Sequence, residues 1–168
     1  MSTVVKTAGF AAFLRLFITC FGPLSEFWMP ILLVISIITL FVGNITALFQ
    51  TSFKRMMAYS SISHVGYMLF AILALGAQSE IAVCMYATAY SLASVVAFAV
   101  LVTVKKQTGG DNFENFNGLG KPNPFMAFTL TLAMLSLAGI PLTAGFIGKF
   151  FMFSVALKQY HVWLVLLA

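Results

Sequence analysis

The stretch LSLAGIPLTAGFIGKF, residues 135–150, is apolar enough to sit in a membrane but is built to interrupt a helix. Gly139, Pro141, Gly145 and Gly148 fall inside it, and a lysine, Lys149, follows at once. Pro141 has no N–H for the Leu137 carbonyl, and its ring crowds the preceding turn. An unbroken helix over 124–157 would rise about 51 Å at 1.5 Å per residue, against a hydrocarbon core of about 30 Å. A helix break at 139–145, marked by Gly139, Pro141 and Gly145, resolves that excess. Unwound backbone inside a membrane is tolerated only where protein or water satisfies the freed groups.

Composition puts this stretch in its setting. The chain is 61% hydrophobic and 8% charged, with mean hydropathy +1.03. A soluble domain carries about 25% charged residues, so the chain is expected to be an all-α, polytopic transmembrane bundle. Spans 27–49, 56–77, 81–104 and 124–148 hold no charge, and 4–21 is apolar except for Lys6 and Arg15. A further helix starts near His161 and is cut off at Ala168. Residues 1–168 are therefore read as a single membrane domain, about five transmembrane helices plus the start of a sixth, and as a fragment of a larger protein. A cleaved leader is disfavoured, because Arg15 splits the apolar run and no small-x-small cleavage site follows.

Net charge is +5, but its placement follows topology rather than nucleic-acid binding. Lys54, Arg55, Lys105, Lys106 and Lys121 lie in connections 50–55 and 105–123, whereas connections 22–26, 78–80 and 158–160 hold only Lys158. The positive-inside rule then assigns 50–55 and 105–123 to the cytoplasm. The polar run 105–123 reads as an exposed loop. Cys20 and Cys84 lie in apolar spans and are expected as small core residues. With only His64 and His161 as histidines, the chain offers no metal, haem or iron–sulfur ligand set.

Four features carry potential chemistry. A charge near the membrane midplane costs roughly 2.5–3.5 kcal/mol to insert and is a functional hypothesis by default. Lys149 is either a snorkelling residue at a helix end or a proton site in a polar cavity behind the Pro141 break. Broken helices around a midplane site are a transporter device, and a lysine withdrawn from water exchanges its proton nearer neutral pH than one at a surface. Lys6 is either a cytoplasmic flank or a buried relay; Arg15, half a turn out of phase, faces the other way and is read as snorkelling. Ser60, Ser63, His64 and Tyr67 form one stripe at i, i+3, i+4 and i+7. Such a stripe organises a water chain or makes interhelical hydrogen bonds. The Tyr86, Tyr90, Ser94 stripe is read as packing and interhelical glue.

Two stretches, VGNITALFQTSFKRMMAYSSISHVGYML (42–69) and LSLAGIPLTAGFIGKFF (135–151), resemble the antiporter-like membrane subunits of proton-pumping NADH–quinone oxidoreductase, respiratory complex I. Within that family the chain is most similar to subunit N. Its sister subunits carry histidine and lysine in the helix matching 81–104, where this chain has neither. Cation/proton antiporter subunits and hydrogenase-type membrane subunits share the fold and remain alternatives. The resemblance implies a fold of about fourteen helices in two inverted repeats, of which this chain covers the eighth to twelfth and the start of the thirteenth.

On that pattern Lys6 stands at the eighth-helix lysine that links two half-channels. Lys149 stands at the lysine of the broken twelfth helix, and His64 on the polar axis in the tenth. The family's fifth-helix glutamate and seventh-helix lysine fall upstream of Met1. The implied function is proton translocation as part of an oxidoreductase, with no redox centre in this chain. NADH, FMN, iron–sulfur clusters and quinone are expected in partner subunits of the membrane complex. The implied surroundings are other membrane-arm subunits and the lipid bilayer of a bacterial inner membrane.

Overall fold

A computed structural model describes residues 4–73 and 77–158 of the chain. They form helices α1 (Val4–Thr19), α2 (Ser25–Leu48), α3 (Phe53–Leu73), α4 (Ala77–Thr108), α5 (Pro124–Ala138) and α6 (Ala144–Lys158). Among the described residues, three helices are long and apolar enough to cross a membrane, within 22–48, 53–73 and 79–108. At about 22 Å each by helical rise, α5 and α6 (15 residues apiece) cross only in series. The helix start expected near His161 lies outside the described residues.

At the centre stands α3, with α2, α4 and α6 packed around it. Leu32, Ser36, Leu40 and Gly43, spaced along one face of α2, are its buried residues. They meet α3 at close range. A Cβ on Gly43 would lie 2.5 Å from Ser63 Oγ and 2.7 Å from the Ser63 amide nitrogen. Gly66 of α3 likewise faces Leu40, whose Cγ would be 2.9 Å from an added Cβ. Small residues let the two backbones approach, the usual basis of helix association in lipid.

The two basic connections meet at one end of the bundle. Phe53 N–H donates to Asp111 O at 2.9 Å, and Phe113 N–H to Thr51 O at 3.3 Å. The Phe53 ring packs on Phe116, centroids 4.8 Å apart, and on Phe113 at 6.1 Å. Connections 50–55 and 105–123 therefore share a side, as alternation of the spans requires.

Three expectations need correction. The loop expected at 105–123 begins only after Thr108, because Lys105 and Lys106 extend the last turn of α4, where cations suit the helix dipole. The connection expected at 78–80 is helical, since α4 starts at Ala77. Cys20 and Cys84 are both exposed rather than core. A residue in an apolar span has two apolar destinations, the bundle or its outer face, and hydropathy does not distinguish them.

Candidate functional site

The Pro141 break is built by local capping. Gly139 ends α5 in the left-handed region at φ 82°, a conformation that favours glycine. Its N–H donates to Leu135 O at 3.0 Å and Ser136 O at 3.1 Å. Leu142 also takes a positive φ, 78°. Thr143 then starts α6, its Oγ1 accepting from Phe146 N–H at 3.4 Å.

The unwound segment is shorter than the expected 139–145, because Gly145 already belongs to α6. Gly145 is required for contact rather than for unwinding. Its N–H donates to Ser136 Oγ at 3.2 Å, and a Cβ there would sit 1.8 Å from the Ser136 carbonyl oxygen.

Lys149 turns back toward the break. Its Nζ donates to Leu137 O at 3.3 Å and Ala138 O at 3.2 Å. The Leu137 carbonyl is the one that Pro141 cannot serve. The ammonium therefore closes the carbonyl end of α5, the negative end of its dipole. Nζ also lies 4.7 Å from the Tyr67 ring centroid, a cation–π distance.

Between Lys149 and α3 lies a cavity of about 300 Å³. Ser60, Ser63, His64 and Tyr67 of α3 line it with Asn44 of α2, while Met134, Leu137 and Ala138 close it from α5. The stripe read from the sequence thus faces one space, shared with Lys149. Ser63 Oγ is buried with no hydrogen-bond partner among the described residues. A polar cavity of this size has room for ordered water, which is what satisfies such groups.

Lys6 lies apart from that cavity, on the other flank of α3. Its Nζ donates to Ser61 Oγ at 2.6 Å, and Ser61 Oγ donates in turn to Ala58 O at 2.6 Å. Ser61 is eight residues past Phe53, the start of α3, so Lys6 reaches about 12 Å along that helix. Lys6 is half-buried and Arg15 exposed, on opposite faces of α1.

His64 connects the two flanks. It stands midway along the 21 residues of α3 and is buried. Both Lys6 and Lys149 are near enough to act on it electrostatically. Its Nδ1 lies 2.5 Å from Tyr86 Oη of α4, and the Tyr90 ring packs on the imidazole at a centroid distance of 4.7 Å. Tyr90 is also coupled to the Ser61 hydroxyl that holds Lys6.

Sequence reasoning missed Ser61, which is out of phase with the stripe on its own helix. Tyr86, read from the sequence as packing and interhelical glue, does make an interhelical hydrogen bond, and its partner is His64. The signal that existed was the i, i+4 spacing of Tyr86 and Tyr90 on an otherwise apolar helix.

The chain matches, over residues 1–168, the family model described as NADH:quinone oxidoreductase/Mrp antiporter, transmembrane. It belongs to that family. Subunit N of NADH-quinone oxidoreductase from Cytophaga hutchinsonii is 42% identical over 170 residues, matching 100% of this chain and 37% of that protein. Subunit N 1 from Solibacter usitatus is 41% identical, matching 99% of this chain and 35% of that protein.

The chain thus spans about a third of the length of these relatives. Among solved structures, a chain of respiratory complex I from Thermus thermophilus with bound aureothin is 37% identical, with TM-score 0.72 over 82% of this chain and 31% of that one. A chain of the membrane-bound sulfane sulfur reductase, an archaeal respiratory membrane complex, is 28% identical, with TM-score 0.86 over 99% of this chain and 34% of that one. The chain is an integral membrane protein of the antiporter-like kind.

Proposed function

We propose that this chain is part of subunit N of a proton-pumping NADH–quinone oxidoreductase and carries one half of its proton path. Protons pass between Lys6 and Lys149 by way of Ser61, Tyr90 and His64 and the water of the central cavity. The observation that carries this reading is the cavity that joins His64 to Lys149 at the broken helix. Its lining offers hydroxyls, an imidazole and an amine.

Three basic groups in a row make proton occupancy coupled, because a proton on one repels a proton on the next through a medium of low dielectric. The helix break contributes the carbonyls that hold Lys149 on the cavity side. NADH, FMN, iron–sulfur clusters and quinone belong to partner subunits in this reading, and the chain meets quinone only through the complex. It sits in a bacterial inner membrane beside other membrane-arm subunits, with 50–55 and 105–123 on the cytoplasmic side. The excess of Lys and Arg in those connections supports that orientation.

A second reading is a cation/proton antiporter subunit, which the family description also covers. The two separate on Lys149→Leu in native membranes. We expect the complex to assemble and its proton-to-electron ratio to fall. A wild-type ratio in that variant would overturn the relay. Sodium-dependent proton exchange without NADH oxidation would favour the antiporter.

A further inference from the structure

We propose that Tyr86 is a positioning residue for the proton path. It holds His64 through Nδ1 so that Nε2 is the nitrogen that exchanges protons with the cavity, and Gly148 ties this setting to α6, the helix that carries Lys149. The inference rests on the proton-path reading and adds to it a specific hydroxyl, a tautomer and a mechanical link.

The His64 ring has little freedom. Its centroid lies 4.7 Å from Tyr90, 5.9 Å from Tyr86 and 6.3 Å from Tyr67. Nδ1 and Tyr86 Oη are 2.5 Å apart, and both side chains are buried. When Nδ1–H donates to the Tyr86 oxygen, the lone pair resides on Nε2, and Nε2 accepts a proton from the cavity. The imidazolium that forms keeps its bond to Tyr86 and gives the proton up from Nε2 to the Tyr90–Ser61 side, and the reverse transfer delivers a proton from that side to cavity water. The proton count closes at one nitrogen, and the ring does not turn. A partner on one imidazole nitrogen sets the chemistry of the other, the common second-neighbour device for histidine.

The link to α6 is steric. A Cβ on Gly148 would lie 3.0 Å from both Tyr86 Cα and Tyr86 Cδ2, so the α6 backbone rests directly on Tyr86. Lys149 is the next residue. A shift of α6 that moves Lys149 is therefore transmitted to Tyr86, and through its hydroxyl to His64 Nδ1. The titratable groups around His64 are Lys6 from α1, Lys149 from α6, Tyr67 on α3 itself, and Tyr86 and Tyr90 from α4. Helix α2 contributes the neutral Asn44 to the cavity, and α5 the apolar Met134, Leu137 and Ala138.

The test is Tyr86→Phe in the assembled membrane complex, with proton pumping normalised to the complex present on a native gel and followed against pH. Loss of one hydrogen bond in the path is expected to slow pumping roughly 2–10-fold and to displace its pH profile, because Nδ1 no longer selects a tautomer. Gly148→Ala, which pushes Tyr86 without removing its hydroxyl, is expected to displace the profile as well. A wild-type rate and profile in Tyr86→Phe would overturn the positioning role. Failure of that variant to assemble would assign the hydroxyl to folding and overturn it too. A wild-type profile in Gly148→Ala would remove the link to α6. Lys149→Leu measured alongside separates the levels. Normal pumping there sinks the proton path itself, whereas lost pumping there with a wild-type Tyr86→Phe sinks only the role of Tyr86.

Discussion

Helices α2 and α3 lie side by side and invert the rule of soluble proteins. Of the three spanning helices, α2 is the most apolar and the least buried, while α3 is the least apolar and the most buried. Ile31, Val34, Ile38 and Ile45 of α2 face outward, whereas Ser61, Ser63, His64 and Tyr67 of α3 face in. In lipid an outward isoleucine loses nothing, since acyl chains are as apolar as a protein core. An outward histidine would face hydrocarbon without a partner, whereas an outward hydroxyl still bonds its own helix, as Thr88 does to Cys84 O at 2.7 Å. Burial in this bundle therefore sorts polar groups inward, and the polar helix becomes both the packing centre and the seat of the candidate path.

Four substitutions probe that contrast, beginning with the most damaging. Gly43→Val forces a branched side chain against the Ser63 backbone, where even a Cβ would be 2.7 Å from the amide nitrogen. Overpacking of this kind costs about 1–3 kcal/mol or more, and little assembled complex is expected on a native gel. Normal accumulation would show that the α2–α3 seam is looser than described.

Lys149→Leu ranks next, since it strips donors from two carbonyls at the break. Assembly is expected to persist while pumping falls, which a proton-to-electron ratio measures. Ser61→Ala removes the 2.6 Å acceptor of Lys6 and is expected to cost about 1–3 kcal/mol. It should appear as a lowered thermal midpoint together with slower pumping. An unchanged midpoint and rate would mean that Lys6 finds another partner. Ile38→Val, on the outward face of α2, should change stability by no more than about 0.5 kcal/mol. A loss there as large as that of Gly43→Val would erase the distinction between the two helices.

Much of this was legible in the residues. The spans, the break and the three basic groups follow from hydropathy, Pro141 and the rarity of charge in apolar sequence. The site was legible only in part. Ser60, Ser63, His64 and Tyr67 showed themselves by spacing, because one helix face is a local property. Ser61 did not, because it lies about 100° round the helix from Ser60, on the adjoining flank, and its partner, Lys6, is 55 residues away in sequence. Gly145 looked like part of the unwound segment, yet it is helical and conserves contact with the Ser136 carbonyl. Glycine in a broken helix serves unwinding or close approach, and only the neighbour distinguishes the two.

By itself the sequence determined that the chain is a membrane bundle, roughly where its long apolar spans lie, and where one helix must break. Chain length against bilayer thickness and the missing N–H of Pro141 are local constraints, readable without a fold. The tertiary structure alone decided that Lys149 caps α5, that Lys6 meets Ser61, that Tyr86 holds His64, and that Cys20 and Cys84 look outward. Each depends on which helix face turns to which neighbour. In a bilayer both faces of a helix meet apolar surroundings, so hydropathy is silent about that choice. Close packing at Gly43, Gly66 and Gly148, and the need of every polar group for a partner, make it instead.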